Sequence, residues 1–164
     1  MKFTLIIFVF ISVVELSNAQ ADSLKRVQEI NQQVWKPFIS ALTSRNNPDF
    51  RKLHSKRITR VEIDNNLVQD YDHYFKENYK KQSNDKSTRL FELRFDKRIG
   101  SNTREWESGY YKSTVIQPGK EARVYYGKFF VLLEKENGVW KILLDADTSQ
   151  GATEQAFNEA NNME

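Results

Sequence analysis

Residues 124–149, VYYGKFFVLLEKENGVWKILLDADTS, decide the fold of this chain. Two largely apolar, aromatic-rich runs flank Asn137-Gly138, and both residues of that pair tolerate the positive φ angles of a type I′ turn. The pattern predicts two long antiparallel strands joined at Glu136-Asn137-Gly138. The rest of the chain is expected to cover one face of this hairpin.

Three earlier segments also have the pattern of strands. Residues 89–99 and 105–115 alternate and are separated by a turn at 100–102. Residues 58–64, ITRVEID, are alternating and β-branched, which predicts a shorter strand. The pattern leaves open whether Glu62 or the more apolar side that carries Val61 faces the core. In residues 89–99, one side carries Phe91, Leu93, Phe95 and Ile99.

Helical spacing precedes the strands. Apolar residues three and four apart predict a helix over residues 23–43, with a kink near Val34 because Pro37 removes a backbone donor. Pro48 is placed to begin a short helix that runs through residue 53. A third helix is expected after a turn at 64–66, with Leu67, Val68, Tyr71, Tyr74, Phe75 and Tyr79 as its apolar positions. Residues 80–86 are predicted to be a polar loop.

Helices followed by a meander of strands indicate an α+β fold. We expect a cone, in which N-terminal helices pack on one face of a curved, mostly antiparallel sheet. A pocket is expected at the open end of the cone.

The N-terminus has the pattern of an export signal. Lys2 supplies a positive start, residues 5–14 are apolar, and small residues allow cleavage after Ala19 or Ala21. The apolar run is about ten residues, short of the roughly 20 that a spanning helix needs, so no stable membrane anchor is expected after cleavage. The mature protein is predicted to be secreted or periplasmic. The predicted parts are a signal peptide at 1–21, one domain at 22–150 and a tail at 151–164 with a short helix at 153–161.

Composition excludes several kinds of site. The chain has no cysteine, so disulfides, thiolate metal sites and acylation at a cysteine are ruled out, which fits a bacterial exported protein held by its core alone. The net charge is +3, and the basic residues are interleaved with polar ones, so no nucleic-acid partner is predicted. His54 and His73 lack ligand spacing and are interpreted as partly exposed surface residues. Neither a metal nor a cofactor is predicted.

Three motifs carry a family resemblance: REWESGYY at 104–111, YGKFFVLL at 126–133 and NGVWKILLD at 137–145. Together they resemble the nuclear-transport-factor-two-like superfamily, and within it the SnoaL-like and ketosteroid-isomerase-like domains of exported bacterial proteins, many of unknown function. The resemblance covers about residues 23–149 and implies a cystatin-like cone. The function classes that it implies are isomerases, cyclases, dehydratases and non-catalytic binders.

The isomerase branch of that family implies a specific catalytic residue. Alignment with it places Glu62 where those enzymes carry a carboxylate base, and a carboxylate in an apolar cone suits proton transfer. The same alignment places Phe38 where they carry an oxyanion-stabilising tyrosine. Phenylalanine has no hydroxyl to donate, so this stabilisation is missing and a non-catalytic role is favoured.

A pocket for a small apolar ligand is predicted from the aromatic content of the chain. Asp145 matches a recurrent acidic position of the family; a structural ion pair to Arg94 or Arg104 is favoured, with a role at the mouth of the cone as the alternative. The first hypothesis is an exported, non-catalytic small-ligand-binding or assembly domain that forms a homodimer through the uncovered sheet face. The second is a cofactor-free isomerase- or dehydratase-like enzyme with Glu62 as general base. The predicted ligand-binding residues are Phe38, Tyr71, Arg94, Trp106, Tyr110 and Asp145.

Overall fold

The computed structural model describes residues 20–80 and 86–163, with the backbone alone for residues 77–80. The predicted signal peptide up to residue 19, most of the predicted polar loop, and the side chain of Tyr79 lie outside the described residues. Export therefore stays a prediction. No helix within the described part of the chain is long and apolar enough to cross a bilayer.

The first helix, α1, includes residues 20–30, the π-helical turn Asn31–Trp35 and the α-helical segment Lys36–Ser44, which confirms the predicted helix. The π-turn lies where the sequence predicts a kink. There the N–H of Lys36 donates to the carbonyl of Asn31, five residues earlier. A break in the α-helical hydrogen bonding is expected at this point, because Pro37 has no N–H to donate to the carbonyl four residues earlier.

The next segment contains one prediction that was wrong. The short helix α2 is Asn47–Lys52, as expected, and strand β1 is His54–Glu62. The third helix, however, does not begin at residue 67: Leu67–Gln69 forms a short strand, β2, that pairs antiparallel with β1. Helix α3 is Tyr71–Lys80, and the Asp70 carboxylate accepts the backbone N–H of His73 at 2.9 Å. That N-cap bond starts the helix four residues later than the apolar spacing suggested.

One six-stranded sheet carries the fold. Besides β1 and β2 it contains β3 (Thr88–Gly100), β4 (Arg104–Ile116), β5 (Arg123–Glu136) and β6 (Val139–Thr148). The strand order is β2-β1-β6-β5-β4-β3. Strands β1 and β6 are parallel and the other neighbours are antiparallel. The predicted hairpin is confirmed, because Asn137 and Gly138 have φ angles of 50° and 83°.

Two register shifts change which side chains face the helices. The β3–β4 pairing shifts between Phe95 and Lys97, so Arg98 turns inward and Ile99 is 63% exposed. The β5–β6 pairing shifts between Leu132 and Leu133. As a result Ile142 and Asp145, three residues apart on β6, line the same cavity. Strict alternation had predicted Ile99 on the side of Phe95, and Asp145 on the side opposite Ile142.

The core lies between α1 to α3 and the inner face of the sheet. Trp35 is its centre, with edge-on or tilted ring contacts to Phe38, Phe95 and Phe129 at 5.6–5.7 Å. Trp140 is 1% exposed and closes the core on β6. These contacts position the helices as the cone that the sequence predicts.

Two fully buried glutamates on β4 tie the helix to the sheet. Glu105 accepts a hydrogen bond from the Arg26 guanidinium at 2.6 Å. Glu107 accepts hydrogen bonds from the Trp35 indole N–H at 2.5 Å and from the Arg98 guanidinium at 2.7 Å. Each carboxylate has a cationic partner that compensates its burial, although one oxygen of Glu105 has no hydrogen-bond partner among the described residues. The inner face of β4 is therefore polar at this end, which the apolar pattern of the strand did not indicate.

The last residues wrap around the edge of the sheet. Helix α4, Glu154–Glu159, lies within the segment for which a short helix was predicted, and it buries Phe157 against Tyr126 on the outer face. Asn161 then exchanges two backbone hydrogen bonds with Phe95 on the edge strand β3. The carbonyl of Met163 accepts from Asn31 at 2.6 Å and from Arg98 at 3.3 Å, so the tail is anchored to the same buried charges.

Candidate functional site

A cavity of about 410 Å³ lies between the three helices and the inner face of the sheet. Its volume is in the range of small-ligand pockets, which run from about 300 to 1,000 Å³. Most of its wall is aromatic or aliphatic: Trp35, Phe38, Leu42, Phe50, Tyr74, Phe91, Leu93, Tyr111, Tyr125, Phe129, Val131 and Ile142. The remaining lining residues are Arg60, Ser113, Asp145 and Asp147, which give the cavity one charged end.

Arg60 organises the charged end. It lies on β1, and its guanidinium donates to Asp147 at 2.6 Å and to Asp145 at 3.4 Å. The second oxygen of Asp147 accepts the Tyr111 hydroxyl at 3.1 Å. Parallel pairing of Arg60 with Asp145 in the β1–β6 ladder brings these side chains together. Three strands therefore contribute to one ion cluster at the cavity wall.

The side chains of the two aspartates differ in their hydrogen bonding. Asp147 has a short bond from Arg60 and a bond from Tyr111, whereas the side chain of Asp145 accepts only the long contact from Arg60 among the described residues. The Tyr74 hydroxyl also has no hydrogen-bond partner in the described part of the chain, although Tyr74 is only 8% exposed. Both groups line the cavity, so they are available to a bound molecule.

Burial determines how these groups ionise. It raises the pKa of both Asp145 and Asp147, while the Arg60 guanidinium opposes the shift, and the charge of Glu62 raises the pKa of Asp145 further. Burial also raises the pKa of Tyr74 and of Tyr111, so both hydroxyls stay protonated. The cluster thus combines hydroxyl donors with carboxylates that hold protons more readily than in water.

Gly127 explains part of the YGKFFVLL motif. A Cβ at this position would lie 2.1 Å from the Tyr111 ring, so only glycine lets that ring lie over β5. Phe91 stacks on Tyr111 from β3 at 5.3 Å. The ring is held between these neighbours, and its hydroxyl is fixed toward Asp147.

The structure brings two of the six predicted ligand-binding residues to the cavity. Phe38 and Asp145 both line it. The ion-pair partner of Asp145 is Arg60, not Arg94 or Arg104: Arg94 donates to the Asn158 and Ala160 carbonyls, and Arg104 pairs with Glu134.

The other predicted ligand-binding residues lie elsewhere. Tyr71 is buried against Phe75, with the Lys56 ammonium 3.9 Å from its ring, and does not reach the cavity wall. Arg94 contacts the tail. Trp106 is 40% exposed on the outer face of the sheet, and Tyr110 shares that face beside Lys128. A ligand-binding role required Trp106 and Tyr110 to face inward, whereas the inner side of β4 carries the buried Glu105 and Glu107.

Glu62 lies at the rim and is not part of the cavity wall. Ile58 is 2% exposed and Arg60 lines the cavity, so the side of β1 that carries Glu62 is the inner one. At the end of the strand, however, the half-buried Glu62 side chain accepts a hydrogen bond from Asn65 at 2.8 Å and does not line the cavity. The catalytic role predicted for Glu62 stays a prediction, and the carboxylates that do face the cavity belong to Asp145 and Asp147.

The two histidines differ in environment. His73 is exposed beside Asp70, as expected. His54 is 4% exposed, so its interpretation as a surface residue was wrong: it lies among aromatic rings and hydrogen-bonds the Phe50 carbonyl at 2.8 Å. Burial lowers the pKa of His54 to about 4, so the ring is neutral. Within the described residues no group of three or more His, Asp or Glu side chains is arranged to hold a metal ion.

Sequence reasoning missed Arg60, Tyr74 and Tyr111 as site residues. Arg60 sits in a strand whose inner face the pattern did not decide, and Tyr74 was counted only as an apolar helix position. For Tyr111 the relevant feature is Gly127, which lies opposite it on β5 and leaves room for its ring, but this pairing is known only from the sheet register.

The sequence matches no protein-family model and no curated protein. Solved structures do match. A protein provisionally named scytalone dehydratase from Novosphingobium aromaticivorans has a TM-score of 0.63 at 15% identity, covering 87% of this chain and 96% of that one.

Two further matches have no assigned activity. One is a nuclear-transport-factor-two-like protein of unknown function from Pseudomonas putida, with a TM-score of 0.61 at 13% identity over 79% of this chain and 89% of that one. The other is a protein of unknown function with a cystatin-like fold from Nostoc punctiforme, with a TM-score of 0.54 at 13% identity over 73% and 87%. At these identities the likeness establishes the fold.

Proposed function

We propose that this chain, which has the nuclear-transport-factor-two-like fold, binds a small ligand with a large apolar body and one polar end. The observation that carries the proposal is the 410 Å³ cavity, apolar along most of its wall and charged at one end. Unsatisfied polar groups on a preformed apolar wall are typical of small-molecule sites, because they orient a ligand whose body is held by burial. Binding is proposed to take place outside the cytoplasm, after removal of the predicted signal peptide.

Filling the cavity is expected to abolish this binding. Ser113 lies on the cavity wall, and Ser113→Phe adds a ring to the space that a ligand would occupy. Nile red, a neutral apolar dye, is expected to bind the native protein saturably with one molecule per chain, and the variant is expected to bind about tenfold more weakly or worse. Fluorescence titration measures both.

The matched control is Thr114→Phe, which adds the same ring one residue along β4, on the opposite face of the strand. It is expected to leave the Nile red affinity within about twofold of the native value, since a ring on the outer face takes no cavity volume. Non-saturable dye binding to the native protein, or equal loss in both variants, would contradict the proposed site.

A cofactor-free enzyme is the second candidate function. It is favoured by one observation: Asp145 and Asp147 have raised pKa values beside an apolar cavity, a combination typical of general acids and bases. The dehydratase name borne by the Novosphingobium neighbour is consistent with it. In that case the proton-transfer group would be Asp145, which is the less satisfied carboxylate, in place of the predicted Glu62.

Assembly as a homodimer through the outer face of the sheet is a separate proposal. Leu90 and Val124 both lie opposite Thr114 in the sheet, and they are 51% and 46% exposed. Exposed apolar side chains on either side of Thr114 are suited to contact a second copy of the chain related by a two-fold axis.

Leu90→Glu is expected to convert a dimer to a monomer in sedimentation velocity, because it places a charge at the centre of such a contact. Leu24→Glu, at an exposed site on α1, serves as the control and is expected to leave the sedimentation coefficient unchanged. A native protein that sediments as a monomer at high concentration would disprove the dimer.

A further inference from the structure

The charged end of the cavity carries more negative than positive charge. Resting on the proposed ligand-binding function, we propose that the ligand is an amine, with a protonated amino group at the polar end and an aromatic or aliphatic body. Its ammonium group would lie between the Asp145 carboxylate and the Tyr74 hydroxyl. The charge, the hydrogen-bonding capacity and the aromatic wall of the cavity each favour an amine.

The charge balance favours a cation. Arg60, Asp145 and Asp147 are the charged side chains that line the cavity in the described structure. One guanidinium between two carboxylates leaves a formal charge of −1. An anionic ligand would add a third negative charge to this buried end, whereas an ammonium group would bring the charge to zero. Burial raises the pKa of Asp145, and a bound ammonium group would favour its ionised form in the same way that Arg60 does.

Two unused acceptors at the charged end match an ammonium. Arg60 donates to both aspartates through its terminal nitrogens, whereas its buried Nε–H has no hydrogen-bond partner among the described residues. Asp145 can only accept when ionised, and its side chain has one contact, at 3.4 Å. The Tyr74 oxygen also accepts, and it has no partner among the described residues. An ammonium group offers three donors, which suits two acceptors that line one cavity.

The aromatic wall suits the same ligand. Tyr74 and Tyr111 flank the charged cluster, and Phe91 stacks on Tyr111. Aromatic faces attract a cation that lies within about 6 Å of the ring centre, and the attraction grows when water is removed. The Arg60 guanidinium already uses this effect, with its central carbon 5.7 Å from the Tyr74 ring. Apolar rings behind the charged end would bury the body of the ligand.

The test compares three probes with one apolar body. 2-(1-Naphthyl)ethylamine is cationic, 2-(1-naphthyl)ethanol is neutral and 1-naphthylacetate is anionic, so they differ mainly in the charge of the polar end. Isothermal titration calorimetry at pH 7.5 is expected to give a Kd for the amine about tenfold lower than for the alcohol, with the acetate weakest, because hydrogen bonds to charged groups are the stronger ones. The Kd of the alcohol measures binding to the apolar cavity alone. The ratio of the Kd values of alcohol and amine measures the contribution of the charged end.

Two variants test whether Asp145 and Tyr74 cause the tighter binding of the amine. Asp145→Asn keeps the shape and removes the charge; it is expected to weaken the amine about tenfold while changing the alcohol by less than about threefold. Tyr74→Phe removes only the hydroxyl and is expected to weaken the amine by a smaller factor. Asp72→Asn removes one negative charge from the exposed surface of α3 and is the control, with no change expected for any probe.

The outcomes separate this inference from the proposed function. If the alcohol binds as tightly as the amine, or the acetate binds best, the cavity is a ligand site but the amine inference is wrong. An unchanged amine Kd in Asp145→Asn would also overturn it. If neither the three probes nor Nile red binds, the proposed function itself fails.

Discussion

Arg98→Met is expected to lower the free energy of unfolding by about 3–5 kcal/mol at pH 8. Arg98 is the cationic partner of Glu107, whose side chain is fully buried, and the guanidinium also donates to Asn31. Methionine keeps most of the packing of the arginine stem but leaves the Glu107 carboxylate without a compensating charge. Urea unfolding followed by circular dichroism measures the loss.

The control for this variant lies next to it in the sequence. Lys97→Met removes the same charge from the same strand, but Lys97 is exposed, so its loss is expected to change the free energy of unfolding by no more than about 0.5 kcal/mol. Equal effects of the two substitutions would mean that the buried pair contributes nothing beyond net charge.

Glu107→Gln is expected to flatten the pH dependence of stability between pH 4.5 and pH 7. Burial raises the pKa of Glu107 from 4.5 to about 7 in the folded protein, although the Arg98 guanidinium opposes the shift. A carboxyl with a raised folded pKa binds its proton more tightly in the native state. Its contribution to stability is therefore present below the unfolded pKa and is lost as the pH rises toward the folded one.

The native protein should accordingly lose roughly 3 kcal/mol relative to Glu107→Gln between pH 4.5 and pH 7.5, because glutamine does not titrate. Asp145 and Asp147 are present in both proteins, so their own pH dependence cancels in the difference. Unfolding curves at several pH values measure it. Glu92→Gln, at an exposed site on the outer face, should follow the native curve. Parallel curves for native protein and Glu107→Gln would show that Glu107 does not titrate in this range.

Local patterns predicted the elements where turn chemistry and periodicity agree. Asn137-Gly138 fixed the hairpin, and Pro37 and Pro48 marked a disturbed helix and a helix start. The pattern failed at Leu67, where helical spacing continued across a strand. Residues 67–69 form a strand because they pair with β1, and no local sequence pattern indicates that pairing.

The candidate site was predicted less well, because its residues depend on which face of each strand is buried. Phe38 and Asp145 were found, yet Trp106 and Tyr110 were placed inward on an aromatic argument that two paired glutamates overturn. In a sequence, a glutamate in a strand is interpreted as a surface residue unless the arginine that pairs with it is known. That arginine, Arg98, faces inward only because of the register shift after Phe95.

The sequence by itself determined the order of helices and strands apart from β2, together with the tight hairpin and the cone, since these follow from turn residues, apolar periodicity and chain connectivity. Only the tertiary structure decided the contents of the cone. Register shifts in β3 and β6 break the two-residue period, and they turn Arg98 and Asp145 inward. Pairing of β1 with β6 then joins Arg60 to Asp145 and Asp147. A charge inside a protein is stabilised by partners that are distant in sequence. The ion cluster of Arg60, Asp145 and Asp147 could therefore not be predicted before the pairing of the strands was known.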